Sequence, residues 1–316
     1  MELIRSLHNL REHHRGCVAT IGNFDGMHRG HQAIITQLQE AAKAHAMPTT
    51  VVTFEPQPQE YFMAHKAPAR ITRLREKIES MRQQKIDRMV CLRFDSSLAN
   101  LPPEEFIMDL LISGLAVRHL VVGDDFRFGK DRKGDISLLQ SLGYQNGFDV
   151  IGTATCEIQG RRISSTWLRE VLAAGDLVMA KKLLGRDYSI SGRIVHGDKR
   201  GHGLGFPTAN VGMHRLHSPV SGVFATRVYG LNEKTLEAVT SIGTRPMFEG
   251  KDMILEAHIL DFDEDVYGKY VRVELLKQLR DERTFATIKE LKQQMKIDVE
   301  NTRQFFVKNK ITSAVH

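Results

Sequence analysis

The chain has 316 residues, with 44 Lys and Arg against 38 Asp and Glu and a formal charge of +6. At roughly 100–200 residues per domain that length predicts two domains, and charges interspersed without a basic block suit anionic ligands such as nucleotides and only weakly suggest nucleic acid, which is not expected as a partner. Cys17, Cys91 and Cys156 form no CxxC, which excludes a cysteine zinc site and a disulfide framework and predicts a reducing, cytoplasmic setting, while the lack of a signal-peptide core or of any apolar run near ~18 residues predicts no membrane segment.

In the first half, short β-branched runs alternate with helical patterns. CVATI predicts a first strand, followed by a helix from Gly30 or His31 that carries Ile34, Ile35, Leu38, Ala41 and Ala42; PTTVVTF, RMVCLRF, HLVVG and FDVIGT predict further strands. This alternation implies an α/β domain with a parallel sheet covered by helices. After ISSTWLREVLAAGDLVMAKKLLGR the texture changes to the glycine-rich SISGRIVHGDKRGHGLGFPTAN, then to the alternating runs GVFATRVYG, EAVTSIG, MILEAHILDF and YVRVELL. Short strands separated by turn signals predict an antiparallel barrel or sandwich. Phe285, Ile288, Leu291 and Met295 recur at helical spacing in the closing TFATIKELKQQMKIDVENTRQFFVKN, predicting one or two helices over that barrel. Gly185 suits a helix C′ position after KKLL, which places the boundary there and divides the chain into residues 1–185 and 186–316.

The turn GNFDGMHRGH joins the first predicted strand to the first predicted helix. A helix start presents unpaired N–H groups and the positive end of the helix dipole, and so binds phosphate. Gly22, Gly26 and Gly30 permit positive φ and close backbone approach. His28 and His31 can both donate hydrogen bonds to phosphate oxygens that gain charge in a transition state. A bare histidine pair is ordinary solvated surface; a glycine-spaced HRGH at a strand-to-helix junction is far more specific.

Three further polar clusters are expected at carboxyl ends of strands, where open α/β sheets bind ligands: TFEPQP from Thr53, GDDFRFGKDRKG from Gly123, and ISSTWLR from Ile163. Ser164 to Thr166 read as helix caps or, with Arg169 one turn on, as a triphosphate clamp. GDDFRFG reads equally as a loop anchored by Phe126 and Phe128 and as a pocket wall in which Asp125 meets a nucleotide or flavin while the aromatics shape the pocket. Two other patterns fail: GDDFRFGK is one residue too long between its glycines for a P-loop, and GHGLG lacks the dinucleotide spacing.

In the second half, the glycines of GDKRGHGLGFPTAN let backbone amides turn toward an anion, with Lys199 and Arg200 adding charge. Thr208 and Asn210 sit two apart, so in an extended segment they face one side. Their hydroxyl and amide oxygens are hard ligands suited to Mg²⁺, although a glycine-rich hairpin with Thr208 and Asn210 bonded to backbone fits PTAN as well. In MILEAHILDF, alternation puts Leu255, Ala257 and Ile259 on one face and Glu256 with His258 on the other. A strand glutamate of this kind is either solvent-facing or a base for an attacking alcohol in phosphoryl transfer.

GNFDGMHRGHQ, TFEPQP, GDDFRFG and ISSTWLR, in that order, resemble the nucleotidylyltransferase half of the bacterial bifunctional riboflavin kinase/FMN adenylyltransferases, the prokaryotic FAD synthetases. The second half, with SGRIVHGDKRGHGLGFPTAN, SGVFA, SIGTRPMF and LEAHILDFDEDVYGKYVRVELLKQLRDE, resembles their riboflavin kinase module. The resemblance implies a Rossmann-like nucleotidylyltransferase domain followed by a six-stranded β-barrel. It implies that the barrel converts riboflavin and ATP to FMN and ADP, and that the first domain converts FMN and ATP to FAD and pyrophosphate, with Mg²⁺ serving both steps. His28 and His31 then stabilise the α-phosphate transition state with Arg169, and Gly22, Asn23, Phe24, Gly30, Glu55, Asp125, Ser165 and Thr166 line the ATP and FMN site. In the barrel the resemblance implies Gly197, Lys199, Gly201, Gly205 and Pro207 around ATP and flavin, Thr208 and Asn210 for Mg²⁺, and Glu256 as the base. Departures from the family pattern are Glu55 for a usual Asp, His202 for Arg, Ser241 for Asn and Met247 for Thr.

Two alternatives stand beside this reading. One is a transferase for another phosphate ester with a regulatory barrel, which flavin turnover excludes; the other is a single-strand RNA-binding barrel, which calls for aromatic platforms interleaved with Lys and Arg that the chain lacks. The residues leave oligomeric state open.

Overall fold

The computed structural model, which describes residues 1–196, 205–215, 217–247 and 250–313, divides into two compact units. The first comprises Met1–Pro68 and Thr72–Ser165, the second Ala69–Ile71 and Thr166–His316. Gly197, Lys199, Gly201 and His202 lie outside the described residues.

The first unit runs β1 (Glu2–Arg5), β2 (Cys17–Ile21), α1 (Arg29–His45), β3 (Thr49–Glu55), α2 (Pro58–Met63), α3 (Leu74–Gln83), β4 (Arg88–Arg93), α4 (Ser96–Ala99) and α5 (Pro103–Phe106). A wider helical turn over Ile107–Gly114 then leads to β5 (Val117–Gly123), α6 (Ile136–Asn146), β6 (Asp149–Thr153) and a hairpin of β7 (Glu157–Ile158) and β8 (Arg161–Arg162). Six strands form one parallel sheet in the order β1-β4-β3-β2-β5-β6. The five strands expected from apolar runs are present. The sixth, β1, escaped because ELIR is too short and polar to stand out, and it earns its place by pairing Leu3 and Ile4 with Met89 and Val90.

Because the sheet is covered on both faces, its central strands are apolar throughout; every residue of β2 is buried. Cys17, Ala19 and Ile21 pack on one side with Phe106, Ile107, Leu110 and Leu139, while Val18 and Val51 pack on the other with Ile35 and Leu38 of α1 and Met81 of α3. The segment ISSTWLR departs from expectation. It follows β8 of the antiparallel hairpin and not a strand of the parallel sheet, because Gln159 and Gly160, at φ 55° and 72°, turn the chain back first.

The second unit begins with α7 (Ser165–Ala173, whose first residue closes the first unit) and α8 (Leu177–Leu184), capped by Gly185 at φ 73°. It continues as β9 (Tyr188–Val195), β10 (Ala209–Gly212), β11 (Gly222–Tyr229), β12 (Leu236–Met247), β13 (Gly250–Ile259), β14 (Tyr270–Arg280) and α9 (Ile288–Ser313). The strands close an antiparallel barrel in the order β10-β13-β12-β11-β14-β9. Alternation on β13 is as expected: Leu255, Ala257 and Ile259 are buried, Glu256 and His258 half-buried.

The helix α9 lies on β11, β12 and β14. Its Asp298, 3% exposed, receives Nε and Nη2 of Arg280 at the end of β14 and Nε2 of Gln294. Removing one partner of a largely buried pair strands the other charge. Asp298→Ala is therefore expected to lower the stability of the barrel unit by about 3 kcal/mol in chemical denaturation, with α9 amides exchanging faster.

Candidate functional site

In a doubly wound sheet the ligand crevice lies where the strand order reverses. Here β3 and β4 follow β2 on one side and β5 and β6 lie on the other, so the reversal falls between β2 and β5. A cleft of about 250 Å³ opens there, lined by Gly22, Phe24, His28, Gly30, His31 and Ile34 after β2, by Gly123 to Phe126 after β5, by Thr153 to Cys156 after β6, and by Arg162 to Ser165.

His28 is the N-cap of α1: its Nδ1 accepts the His31 amide N–H at 3.3 Å, and its carbonyl accepts the Gln32 amide. With Nδ1 occupied as an acceptor, the neutral ring carries its proton on Nε2 and is a donor there. The two imidazoles stack at 3.6 Å with 16° between planes, and Phe24 lies against His31 at 5.1 Å. His28 is buried; His31 is half-buried with Nδ1 enclosed and without a hydrogen-bond partner. Burial first, then the neighbouring His28 and the Lys77 ammonium, hold His31 well below the usual histidine value of 6.5, so its ring meets a ligand neutral at pH 7.

Of the glycines in this turn, Gly26 takes φ 89° but Gly22 and Gly30 do not have positive φ. Gly30 is needed for space: a Cβ there would lie 3.2 Å from His28 Nδ1 and 3.4 Å from the Ile163 carbonyl oxygen. The left-handed conformations fall instead on Phe24 and Met27, at φ 47° and 44°, both buried. Asp25, 1% exposed, holds the turn by accepting from the Thr72 amide at 2.9 Å and its hydroxyl at 3.1 Å; Thr72 Oγ1 in turn accepts the Gly26 amide. Ser165 Oγ donates to the Asp25 carbonyl at 2.9 Å, tying the last residue of this unit to the same turn.

The loop anchor expected of GDDFRFG is present, and its Asp125 lines the cleft. Phe128 is buried and stacks with Phe126, whereas Asp125 faces the cleft and pairs with Arg162 at 2.5 Å. Asp124 accepts from Thr155 at 2.6 Å and lies 3.5 Å from the same guanidinium. The structure thus brings Gly22, Phe24, His28, Gly30, His31, Asp125 and Ser165 to one cleft. Asn23 and Glu55, at the ends of the neighbouring strands, are not among its lining residues. Thr166 and Arg169 are counted with the second unit, where Arg169 Nε donates to the Ala69 carbonyl at 2.7 Å. Arg162 and Thr155 were missed; the Gln-Gly hairpin turn before RRISST was the signal that would have placed the arginine.

In the barrel, a second cleft of about 260 Å³ is lined by Ile194, Pro207, Thr208, Ala209, Ala257, Ile259 and the segment Phe262 to Tyr267. Pro207 accepts from or donates nothing through nitrogen, having no N–H, but its carbonyl oxygen lies 2.8 Å from His258 Nδ1 and so receives that ring's proton. Register sets Asn210 directly opposite Glu256, and Glu256 opposite Ser241 on β12, so three polar residues form a row across three strands on one face. Thr208 is two residues before Asn210, and Gly205 takes φ 84° in open space. Asp263, Glu264 and Asp265 bring carboxylates to this cleft that sequence reasoning had not singled out.

The FAD synthetase family profile matches residues 10–167, and the riboflavin kinase profile matches residues 184–306. The chain is 50% identical over 307 residues to the bifunctional riboflavin kinase/FMN adenylyltransferase of Escherichia coli K12, covering 97% of this chain and 98% of that one. It is 45% identical over 304 residues to the protein of the same description from Pseudomonas fluorescens, covering 96% and 97%. Among solved structures, one described as a macrolide-efflux protein from Streptococcus pneumoniae superposes with a TM-score of 0.83 at 29% identity, over 96% of this chain and 99% of that one. Among the described residues, no helix is long and apolar enough to cross a membrane. With both profiles matched in chain order and relatives aligned end to end, the chain belongs to the bifunctional riboflavin kinase/FMN adenylyltransferase family.

Proposed function

We propose that FMN is adenylylated in the cleft between the ends of β2 and β5 and that riboflavin is phosphorylated on the barrel at the β10–β13 row, with residues 1–185 and 186–316 as the respective domains. The observation that carries the first assignment is the stacked His28–His31 pair at the α1 start, on the strand-order reversal. A phosphate oxygen of FMN attacks the ATP α-phosphorus, the bond to the β-phosphate oxygen breaks, and pyrophosphate leaves with the electron pair. Charge builds on the α-phosphate oxygens, where the His28 Nε2–H donates and the positive end of the α1 dipole adds its field. Neither ring serves as nucleophile. Ser165, Thr166 and Arg169 are proposed for the triphosphate, and Asn23, Glu55 and Asp125 for the nucleotide and flavin.

In the barrel, the terminal ribityl hydroxyl attacks the ATP γ-phosphorus, its proton passes to the Glu256 carboxylate, and ADP leaves. Oxygen donors suit a hard divalent cation, and Thr208 with Asn210, two apart at the start of β10, offers a hydroxyl and an amide oxygen to Mg²⁺. The ion would offset charge on the ATP phosphates. Gly197, Lys199, Gly201, Gly205 and Pro207 are proposed as the phosphate and flavin cradle. Three free cysteines, two of them buried, support a reducing cytoplasmic setting.

Incubation with riboflavin, ATP and Mg²⁺, followed by chromatography, is expected to show FMN before FAD. His31→Ala should cut FAD formation by about 10²–10³-fold and spare FMN formation, whereas Glu256→Ala should lose FMN formation and still convert supplied FMN. Equal loss of both products in either variant would sink the two-site assignment. The lowered His31 value also has a sign: the unfolded chain takes up a proton near 6.5 that the folded ring refuses, so stability falls as pH drops below 6.5. Denaturation of the ligand-free protein at pH 7 and at lower pH should show this slope, and His31→Gln should flatten it.

A further inference from the structure

His258 follows Glu256 by two residues on β13, so the two share a face of the strand, and both are half-buried. Asn210 is the register partner of Glu256, and the pairing of β10 with β13 stops one residue further on, at Ala209 and Ala257. Pro207 and Thr208 lead into β10 from beyond that point, and Pro207 has no N–H with which to extend the ladder. A side chain of β13 takes hold of this segment instead. His258 Nδ1 donates to the Pro207 carbonyl oxygen at 2.8 Å, and the same ring meets Phe206 edge-on at 5.4 Å. A carbonyl only accepts, so the bond fixes a proton on Nδ1. One imidazole thus holds the two residues that precede Thr208.

We propose that His258 is a positioning residue for phosphoryl transfer: by holding the Pro207 carbonyl it sets Thr208 in place beside the Asn210–Glu256 pair. This rests on the assignment of riboflavin phosphorylation to the β10–β13 row. Thr208 is one peptide unit from the bonded carbonyl, and Asn210, two residues on, is fixed by its register with Glu256 and with Val195 of β9. The hydroxyl of Thr208 therefore depends on His258 on one side and on the ladder on the other. In this role the ring touches neither reactant and transfers no proton. What it supplies is a donor close to the β13 backbone, at the near nitrogen of the imidazole, and the far nitrogen is not required.

The test compares His258→Leu, His258→Asn and His258→Gln in the full chain, assayed for FMN formation from riboflavin, ATP and Mg²⁺, with FAD formation from supplied FMN as the control. Leucine has the branching of asparagine but no donor. Its kcat for FMN formation is expected to fall about 100-fold, the loss that a small misplacement caused from outside the chemistry produces, with the KM for riboflavin unchanged. Asparagine carries its amide N–H as many bonds from Cβ as Nδ1 is, and should recover most of that loss. Glutamine carries its amide at the place of the far nitrogen and should behave like leucine. Amide exchange at Thr208 and Ala209 of the ligand-free chain, followed by NMR, should quicken in the leucine and glutamine variants and slow again with asparagine. A ring that only packs would leave asparagine as impaired as leucine, and that result overturns the proposal. An unchanged kcat in the leucine variant, exchange at Thr208 that does not follow the donor, or an equal loss of FAD formation overturns it too. If the leucine variant does not fold, the asparagine and glutamine variants carry the same comparison. A Glu256→Ala chain that still makes FMN would instead refute the assignment of the barrel row.

Discussion

The bond from the His31 amide to His28 Nδ1 governs the first unit. It starts α1 and fixes which ring nitrogen of His28 carries the proton. In the adenylyl transfer proposed for this turn, capping and chemistry would be one requirement. A serine or aspartate would cap the helix equally well but would not present a neutral N–H to a phosphate, and a side chain at Gly30 would crowd the imidazole from behind. The turn that carries the pair is held through Asp25 and Thr72 on one side and Ser165 on another, so segments 47 and 140 residues away in sequence set its shape.

The second unit solves a different problem with a different fold. A closed barrel leaves no free strand edge, and its alternation turns one row of side chains inward as core and the next outward. Asn210, Glu256 and Ser241 share a face because they are register partners, and no loop is needed to bring them together. Sites on strands hold such groups more rigidly than sites on loops. In the first unit, by contrast, the groups come from the ends of β2, β5 and β6, where a parallel sheet exposes its loops on one edge.

Periodicity made most of this legible. The apolar runs of the parallel strands, the alternation of LEAHI, the glycine stop at Gly185 and the junction placing HRGH before a helix are all local properties, and each gave the correct element. Local properties also gave the donor chemistry of His28, His31, Thr208, Asn210 and Glu256, since a residue's functional groups do not depend on its neighbours. What failed had tertiary causes. ELIR becomes a strand only because β4 offers it a partner. Ile163 to Ser165 lie by the cleft because a two-residue turn folds the chain back ahead of them, and Arg162 lines it for the same reason.

The amino-acid sequence by itself determined the fold class of both halves, the order of the elements and the chemical groups available, because those follow from side-chain pattern and backbone preference over a few residues. Only the tertiary structure decided which groups meet. The strand order that opens the crevice between β2 and β5, the shift on His31 and the burial of Lys77 depend on segments far apart in the chain. Burial and electric field are sums over neighbours in space, and a linear sequence does not name those neighbours.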